Sequence, residues 1–385
     1  MTRKVVVVGA GAAGLKATSD LLQAELQVDL IDARARFGGR AWTDSSLGAP
    51  IDLGCQWLHD APDNPWVVEA QRLKIKTGKQ IKDDYYFDPQ ALSVERSKEI
   101  RRRVEDLEHK LEQKLDEDYS DSAASNAAKN AGVDTTDPWY PVAEARLAAL
   151  EESAELGEFS AIDRHPDKVK LPYSFSLPQG NGFNYLPRGG YGALIEAYAK
   201  DLVSRHGKHK QGTGRLSVFL SHQVTAIHRA NTTLTVKSKR LPAGAALAFK
   251  PSAVLVAVPT SIIAGRQLKF VPPLPRDTAE AFANLPMGHF KKVALKFSCD
   301  IFNLDSYATK LKPSELQALR QTSPGAKPAM RSGPCRHARA TPGNSFATCM
   351  RRTSSSALLG ERWRSNWSRS RSRPSSITRW TASPR

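Results

Sequence analysis

Glycines 9, 11 and 14 stand in the spacing Gly-x-Gly-x-x-Gly, and eighteen residues past the last of them comes Asp32. As chemistry, this is a turn that presents backbone N–H groups to a pyrophosphate, followed by an acid that accepts from ribose hydroxyls. Gly9 allows the tight turn, Gly11 lets the main chain approach the phosphates, and Gly14 permits close packing of helix on strand. Ala13 lies in the same turn. The competing reading is a glycine-rich turn without a ligand. Directly after the acid, Asp32-Ala33-Arg34-Ala35-Arg36-Phe37-Gly38-Gly39-Arg40 adds three arginines and a glycine pair. Arginines offer forked donors to phosphate, and paired glycines let the backbone pass beside a flat ligand. A solvated basic loop would not require the glycine pair.

These residues need elements to carry them. Lys4 to Val8 is a β-branched run without polar alternation, the pattern of a strand buried on both faces of a parallel sheet. Ala13, Ala17 and Leu21 recur at helical spacing up to about Gln23, and Val28 to Asp32 reads as a second strand, completing a βαβ unit. Ile100, Val104, Leu107, Leu111 and Leu115 predict one long amphipathic helix. Ser120 to Gly132 reads as a loop or a weak helix end, and Val142 to Leu156 as a further helix. After glycine-rich breaks at 180–182 and 189–192, a helix is expected over 193–204. Strands are expected at 224–227, 234–236, 254–258 and 291–297.

The chain has 385 residues and a formal net charge of +17, which on its face points to an anionic partner. From Arg320 to Arg385, however, there are 14 basic residues and one acidic, Glu361. Removing these from the totals of 56 and 39 leaves 42 basic and 38 acidic residues in positions 1–319, so the excess belongs to the tail. Four scattered cysteines without CxxC spacing point to a reduced setting. The N-terminus lacks a signal-peptide core, and no apolar run reaches the roughly 20 residues of a membrane span. The expectation is a soluble cytoplasmic protein. No metal-ligand spacing, hydrolase elbow or P-loop occurs.

Further motifs carry a resemblance. They are Asp32 to Arg40; Ile51-Asp-Leu-Gly54-Cys-Gln56-Trp57-Leu-His59 with Asn64-Pro65; Leu186-Pro-Arg-Gly189-Gly190 with Leu194; Val224 to Ile227; Val254 to Pro259; and Leu285 to Lys292. In this order they resemble the flavin-containing amine oxidases, the monoamine and polyamine oxidases, with Asp32 where the family usually has Glu. The resemblance implies an α/β fold in which a Rossmann-like, NAD(P)-binding-like FAD domain carries an inserted α+β substrate domain. It implies FAD held by Gly9, Gly11, Ala13, Gly14, Asp32, Ala33, Arg34, Gly38, Gly39, Arg40, Gly54, Gln56, Trp57, Val224 and Pro259. The substrates would be a small amine, of polyamine type nearest, and O2, with imine, aldehyde and H2O2 as products. Lys292 takes the position of the family's site lysine, next to a water at the flavin. Strand alternation would instead bury Lys291 with Val293, Leu295 and Phe297, leaving Lys292 with Ala294 and Lys296. His59 is placed to bind or deprotonate an ammonium; the plainer reading is a loop histidine among Asp60, Asp63 and Asn64. Trp57 reads as a flavin or channel contact, or as a core aromatic.

The expected division is 1–88 and 186–265 for the FAD domain, 89–185 and 266–320 for the substrate side, and 321–385 for a basic tail. The family's C-terminal motifs are not found after Phe302, and the arginine bias of the tail reads as a shifted frame or a truncation. The other readings are an arginine-rich arm for nucleic acid, a related carbon-skeleton desaturase, and an inactive flavoprotein-like chain.

Overall fold

The computed structural model describes residues 3–61, 64–79, 84–87, 94–118, 120–164, 183–207, 214–296 and 348–351. In chain order the elements begin β1 (Lys4–Val8), α1 (Ala12–Gln23), β2 (Gln27–Ile31), β3 (Thr43–Asp44), β4 (Ile51–Asp52), α2 (Pro65–Arg72), β5 (Thr77–Lys79) and β6 (Asp84–Phe87). Helices α3 (Val94–Glu117), α4 (Ala124–Lys129) and α5 (Tyr140–Leu147) follow, then β7 (Tyr185–Pro187) and α6 (Tyr191–His206). The rest are β8 (Leu216–Phe219), β9 (His222–Ala230), β10 (Thr233–Arg240), β11 (Ala246–Phe249), β12 (Ala253–Val256), α7 (Thr260–Ala264), β13 (Lys269–Val271), α8 (Arg276–Ala283) and β14 (Thr348–Arg351).

Strands β12-β1-β2-β8 form a parallel sheet with β1 inside it. Val7 packs with Leu15, Leu22, Ile195 and Leu202 of α1 and α6, whereas Val6 and Val8 pack with Val224, Ile227 and Val236 of a second sheet, β11-β10-β9-β13. Both faces of β1 are covered, which is why four consecutive valines replace an alternating pattern. β13 joins β9 in parallel, so the sheet built by the 186–265 segment extends to Val271.

The predicted long helix is present as α3, and its stripe Ile100, Val104, Leu107, Leu111 and Leu115 is fully buried. It seals a core of its own with Ala124, Ala127, Ala143, Leu147 and Leu156. Where a loop or weak helix end was expected, α4 forms: Ala124 N and Ser125 N donate to Phe159 O and Leu156 O, so a remote segment satisfies its first amides. The expected helix over 142–156 is shorter. It ends at Leu147, after which Leu150 N donates to Ala145 O and Ser153 takes φ 57°.

The expected strand at 291–297 is corrected as well: residues 291–296 form no strand, and Phe297 lies outside the described residues. The phase of burial is opposite to that of alternation. Val293 and Leu295 are 55% and 44% exposed, whereas Lys292 and Ala294 face inward. Of the tail at 321–385 only Thr348–Arg351, paired with β6, is among the described residues; the frame-shift reading and the glycine break at 180–182 lie outside them.

Leu111→Ala removes a side chain at the centre of the helical core and is expected to cost about 2–5 kcal/mol. Because that core is built from 100–156, amide exchange should rise in α3 to α5 and stay unchanged in β1 and β2, as hydrogen-exchange mass spectrometry would show.

Candidate functional site

The glycines of the first turn divide by what surrounds them. A Cβ on Gly14 would stand 1.8 Å from Gly9 O, and one on Gly9, at φ +108°, would stand 2.5 Å from Ala257 O. These two glycines are demanded by the protein's own packing of α1 on β1 and of the β12 end on the turn. Gly11 differs. Its backbone is ordinary (φ −78°, ψ −178°), and the nearest atoms to an added Cβ, Gly38 O and the Gly39 Cα, are both 3.9 Å away. A Cβ there would fill only the space between the turn and the 38–39 pair. Helix α1 has no side-chain cap and no acid in its first turn, so its leading N–H groups and positive dipole end face that space. Ala13 is exposed beside it.

Asp32 follows β2 immediately. One carboxylate oxygen accepts from Ala10 N at 2.7 Å and the other from Arg34 N at 2.8 Å. It thus steadies the turn, and each oxygen keeps a further lone pair for a hydroxyl donor. Two of the three arginines bond within the loop itself. Arg34 donates to Gly39 O, and Arg36 donates to the carbonyls of Phe37, Gly39 and Ala41 while its guanidinium lies 5.0 Å from the Trp42 ring. They brace the loop that holds Gly38 and Gly39, at φ +97° and +55°. Ala33 and Arg40 are exposed.

From Gly39 the backbone leads to a second group of residues. A Cβ on Gly54 would stand 1.7 Å from Arg40 O, and Cys55 N donates to the same carbonyl. Lys292 Nζ donates to Gly54 O at 2.8 Å, Gln56 Oε1 at 3.0 Å and Asp52 O at 3.2 Å, so all three ammonium protons are directed. It lies 5.2 Å from the centroid of the Trp57 ring. Burial pushes the Lys292 ammonium below the usual lysine value, against Asp52 and Cys55, which act to raise it. Trp57 Nε1 is buried with no hydrogen-bond partner. The His59 ring is 6.1 Å from that of Trp57 and exposed, with Nδ1 3.0 Å from Asn184 Oδ1. This loop is held by the reciprocal bonds of Leu58 with Tyr185.

The structure therefore brings together Gly9, Gly11, Gly14, Asp32, Gly38 and Gly39 at one turn, and Gly54, Gln56, Trp57, His59 and Lys292 beside it. Val224 is not part of this grouping through its side chain, which is buried between the sheets with Val6 and Ile31. Pro259 is the residue before α7 and is half-buried. Sequence reasoning passed over Thr43 and Asp52. The Asp52 carboxylate accepts from Thr43 Oγ1, Tyr191 N and Gly192 N, and only its place in the quoted Ile51-to-His59 motif could have signalled it.

A family model for flavin containing amine oxidoreductases matches residues 12–346. The chain belongs to that family. The match runs well past Lys292, where the last of the resembling motifs ends. The chain is 26% identical over 313 residues to probable polyamine oxidase 4 of Arabidopsis thaliana, covering 76% of this chain and 58% of that protein. It is 28% identical over 313 residues to polyamine oxidase 3 of Oryza sativa subsp. japonica, covering 77% of this chain and 60% of the relative. It thus spans less than two thirds of the length of these curated relatives. Among solved structures, wild-type putrescine oxidase bound to putrescine aligns with a TM-score of 0.50 at 22% identity, over 74% of this chain and 63% of its own, a likeness of fold. FAD is the cofactor that membership implies, and the open space at Gly11 beneath an uncapped helix end fits its pyrophosphate. Among the described residues no helix is long and apolar enough to cross a membrane.

Gly14→Ala and Gly11→Ala separate packing from ligand approach. The first should cost more than about 4 kcal/mol, since Gly9 O blocks the methyl group. Gly11→Ala should change stability by less than about 1 kcal/mol while weakening FAD binding at least about tenfold, or 1.4 kcal/mol. Urea unfolding and a flavin-fluorescence titration check the pair.

Proposed function

We propose that this chain is an FAD-dependent amine oxidase acting on the C–N bond of a small amine, of polyamine type nearest. The observation that carries the reading is the continuity of the two groups of residues. Gly11 bridges to Gly38, Gly39 leads into Arg40, the Arg40 carbonyl packs against Gly54, and the Gly54 carbonyl holds Lys292. A half-buried lysine next to a dinucleotide turn, with its proton affinity lowered, is a functional arrangement more than a structural one.

In the net reaction a secondary amine, dioxygen and water give an aldehyde, a smaller amine and hydrogen peroxide; two electrons and two protons leave the carbon–nitrogen unit and end on dioxygen, and hydrolysis of the imine follows. When bound, FAD supplies the two-electron acceptor and returns the electrons to dioxygen. The chain would hold it with the amides at the start of α1, with Asp32 at the ribose, and with the main chain at Gly38, Gly39 and Gly54. His59, with Nδ1–H donated to Asn184 Oδ1, keeps Nε2 as an acceptor for the proton of an incoming ammonium. Lys292 Nζ can give up and retake one of its three directed protons, and in the neutral form its lone pair can hold a water, at the point where Gly54, Gln56 and Trp57 meet. Trp57 covers that point and excludes solvent.

On this reading 1–88 and 186–265 hold the cofactor and 89–185 with 266–320 serve the substrate side, which accords with the separate core of α3 to α5. A reduced, cytoplasmic setting is supported by Cys55, an exposed free thiol.

Purified full chain supplemented with FAD should show flavin absorbance near about 450 nm and release peroxide with spermidine or a monoamine. Lys292→Met should lower peroxide release at least about 100-fold, and Lys291→Met, at an exposed position, should leave it unchanged. Absence of bound flavin overturns the reading. Bound flavin without peroxide release from any amine would favour a desaturase instead.

A further inference from the structure

Helix α6 starts at Tyr191 after Gly190, with φ 101°, and its own sequence provides no side-chain cap and no acid in the first turn. Its first three amides nevertheless all have partners. Tyr191 N donates to Asp52 Oδ2 at 2.8 Å, Gly192 N to Asp52 Oδ1 at 3.2 Å, and Ala193 N to Thr43 Oγ1 at 3.1 Å. Thr43 Oγ1 in turn donates to Asp52 Oδ1 at 2.5 Å. The β3–β4 hairpin therefore caps a helix some 140 residues away, with a carboxylate at the positive end of its dipole. The approach is close. A Cβ on Gly190 would stand 2.4 Å from Thr43 Oγ1, and one on Gly192 would stand 2.3 Å from Thr43 N. Glycines 190 and 192 are thus explained by this docking, whereas Gly189, at φ +88°, meets nothing within 4 Å.

Asp52 does a second thing through its main chain: its carbonyl accepts from Lys292 Nζ at 3.2 Å, two residues before Gly54 accepts at 2.8 Å. We propose that Asp52 is the positioning residue of the Lys292 cradle, fixing the hairpin to α6 through its carboxylate and holding Lys292 through its carbonyl. The residue makes no contribution to the reacting atoms; it sets where the carbonyls that hold Lys292 stand. Burial raises the Asp52 carboxyl above its usual value, against Thr43, the two amides and Lys292, which act to lower it, and partial burial pushes the Tyr191 phenol alongside up to about 12.

This inference rests on Lys292 being the lysine of the site, and its test does not use activity. In the full chain, with and without added FAD, acetic anhydride labels Lys292 Nζ in competition with the exposed Lys200, and peptide mass spectrometry reads the ratio. Hydrogen exchange reads the amides of Tyr191 to Ala193. Asp52→Asn is expected to speed amide exchange there about tenfold, as for loss of a charged hydrogen bond, and to raise Lys292 acetylation at least about threefold, or 0.65 kcal/mol. Thr43→Val, which keeps the carboxylate, should move both readouts in the same direction by less, and it decides the matter if Asp52→Asn does not fold. Faster exchange at α6 with unchanged Lys292 acetylation would reduce Asp52 to a helix cap and overturn the proposal, as would no change in either. If Lys292 has no part in amine oxidation, Lys292→Met keeps its peroxide release and the acetylation result is unaffected.

Discussion

The first turn of helix α6 exposes three N–H groups that its own sequence cannot satisfy, and the hairpin carrying Thr43 and Asp52 provides an acceptor for each. Unpaired, such amides would cost free energy in a half-buried setting. Meeting that requirement brings the hairpin so close to the helix that only glycine fits at 190 and 192. It also determines where the hairpin's far end lies. There the carbonyls of Asp52 and Gly54 turn toward Lys292, and Arg40 O packs on Gly54. The cofactor turn and the lysine are held in one piece by backbone contacts.

Backbone, more than side chains, shapes this site. Lys292 is held by two carbonyls and an amide oxygen, and the Gly38–Gly39 loop by arginine donors aimed at carbonyls. Arginine is suited to this because its planar fork reaches several acceptors at once. The positive field that the sequence places after Asp32 is thereby partly spent on the protein itself. Anion affinity at the turn is left to the uncapped start of α1.

The legible parts of the chain are those whose signal is local. The β1–α1–β2 unit and helix α3 follow from a short apolar run and a three-to-four spacing, each imposed by burial of a single element. The segment at 291–296 is different. Its alternation of apolar residues predicts a strand with Lys291 inward, yet the carbonyls at 52 and 54 draw Lys292 in and leave Val293 and Leu295 outside. Likewise α4 depends on acceptors at Leu156 and Phe159, and an Ala/Ser/Asn stretch carries no sign of them. Resemblance of motifs selected Lys292 where periodicity pointed to its neighbour.

Spacing of glycines, the acid after β2 and the ordered motifs were enough to identify a dinucleotide turn and its family from the sequence. These are features in which residue type and the chain's own next few residues decide the geometry. Two matters belong to the tertiary structure alone. One is which glycines answer to packing and which to a ligand, since Gly9 and Gly14 meet backbone atoms from their surroundings and Gly11 meets open space. The other is the role of Thr43 and Asp52, because neither stretch of sequence names the partner of a hydrogen bond that joins residues about 140 positions apart. Such contacts form only when the packing of the sheet and α6 has already brought their backbones together.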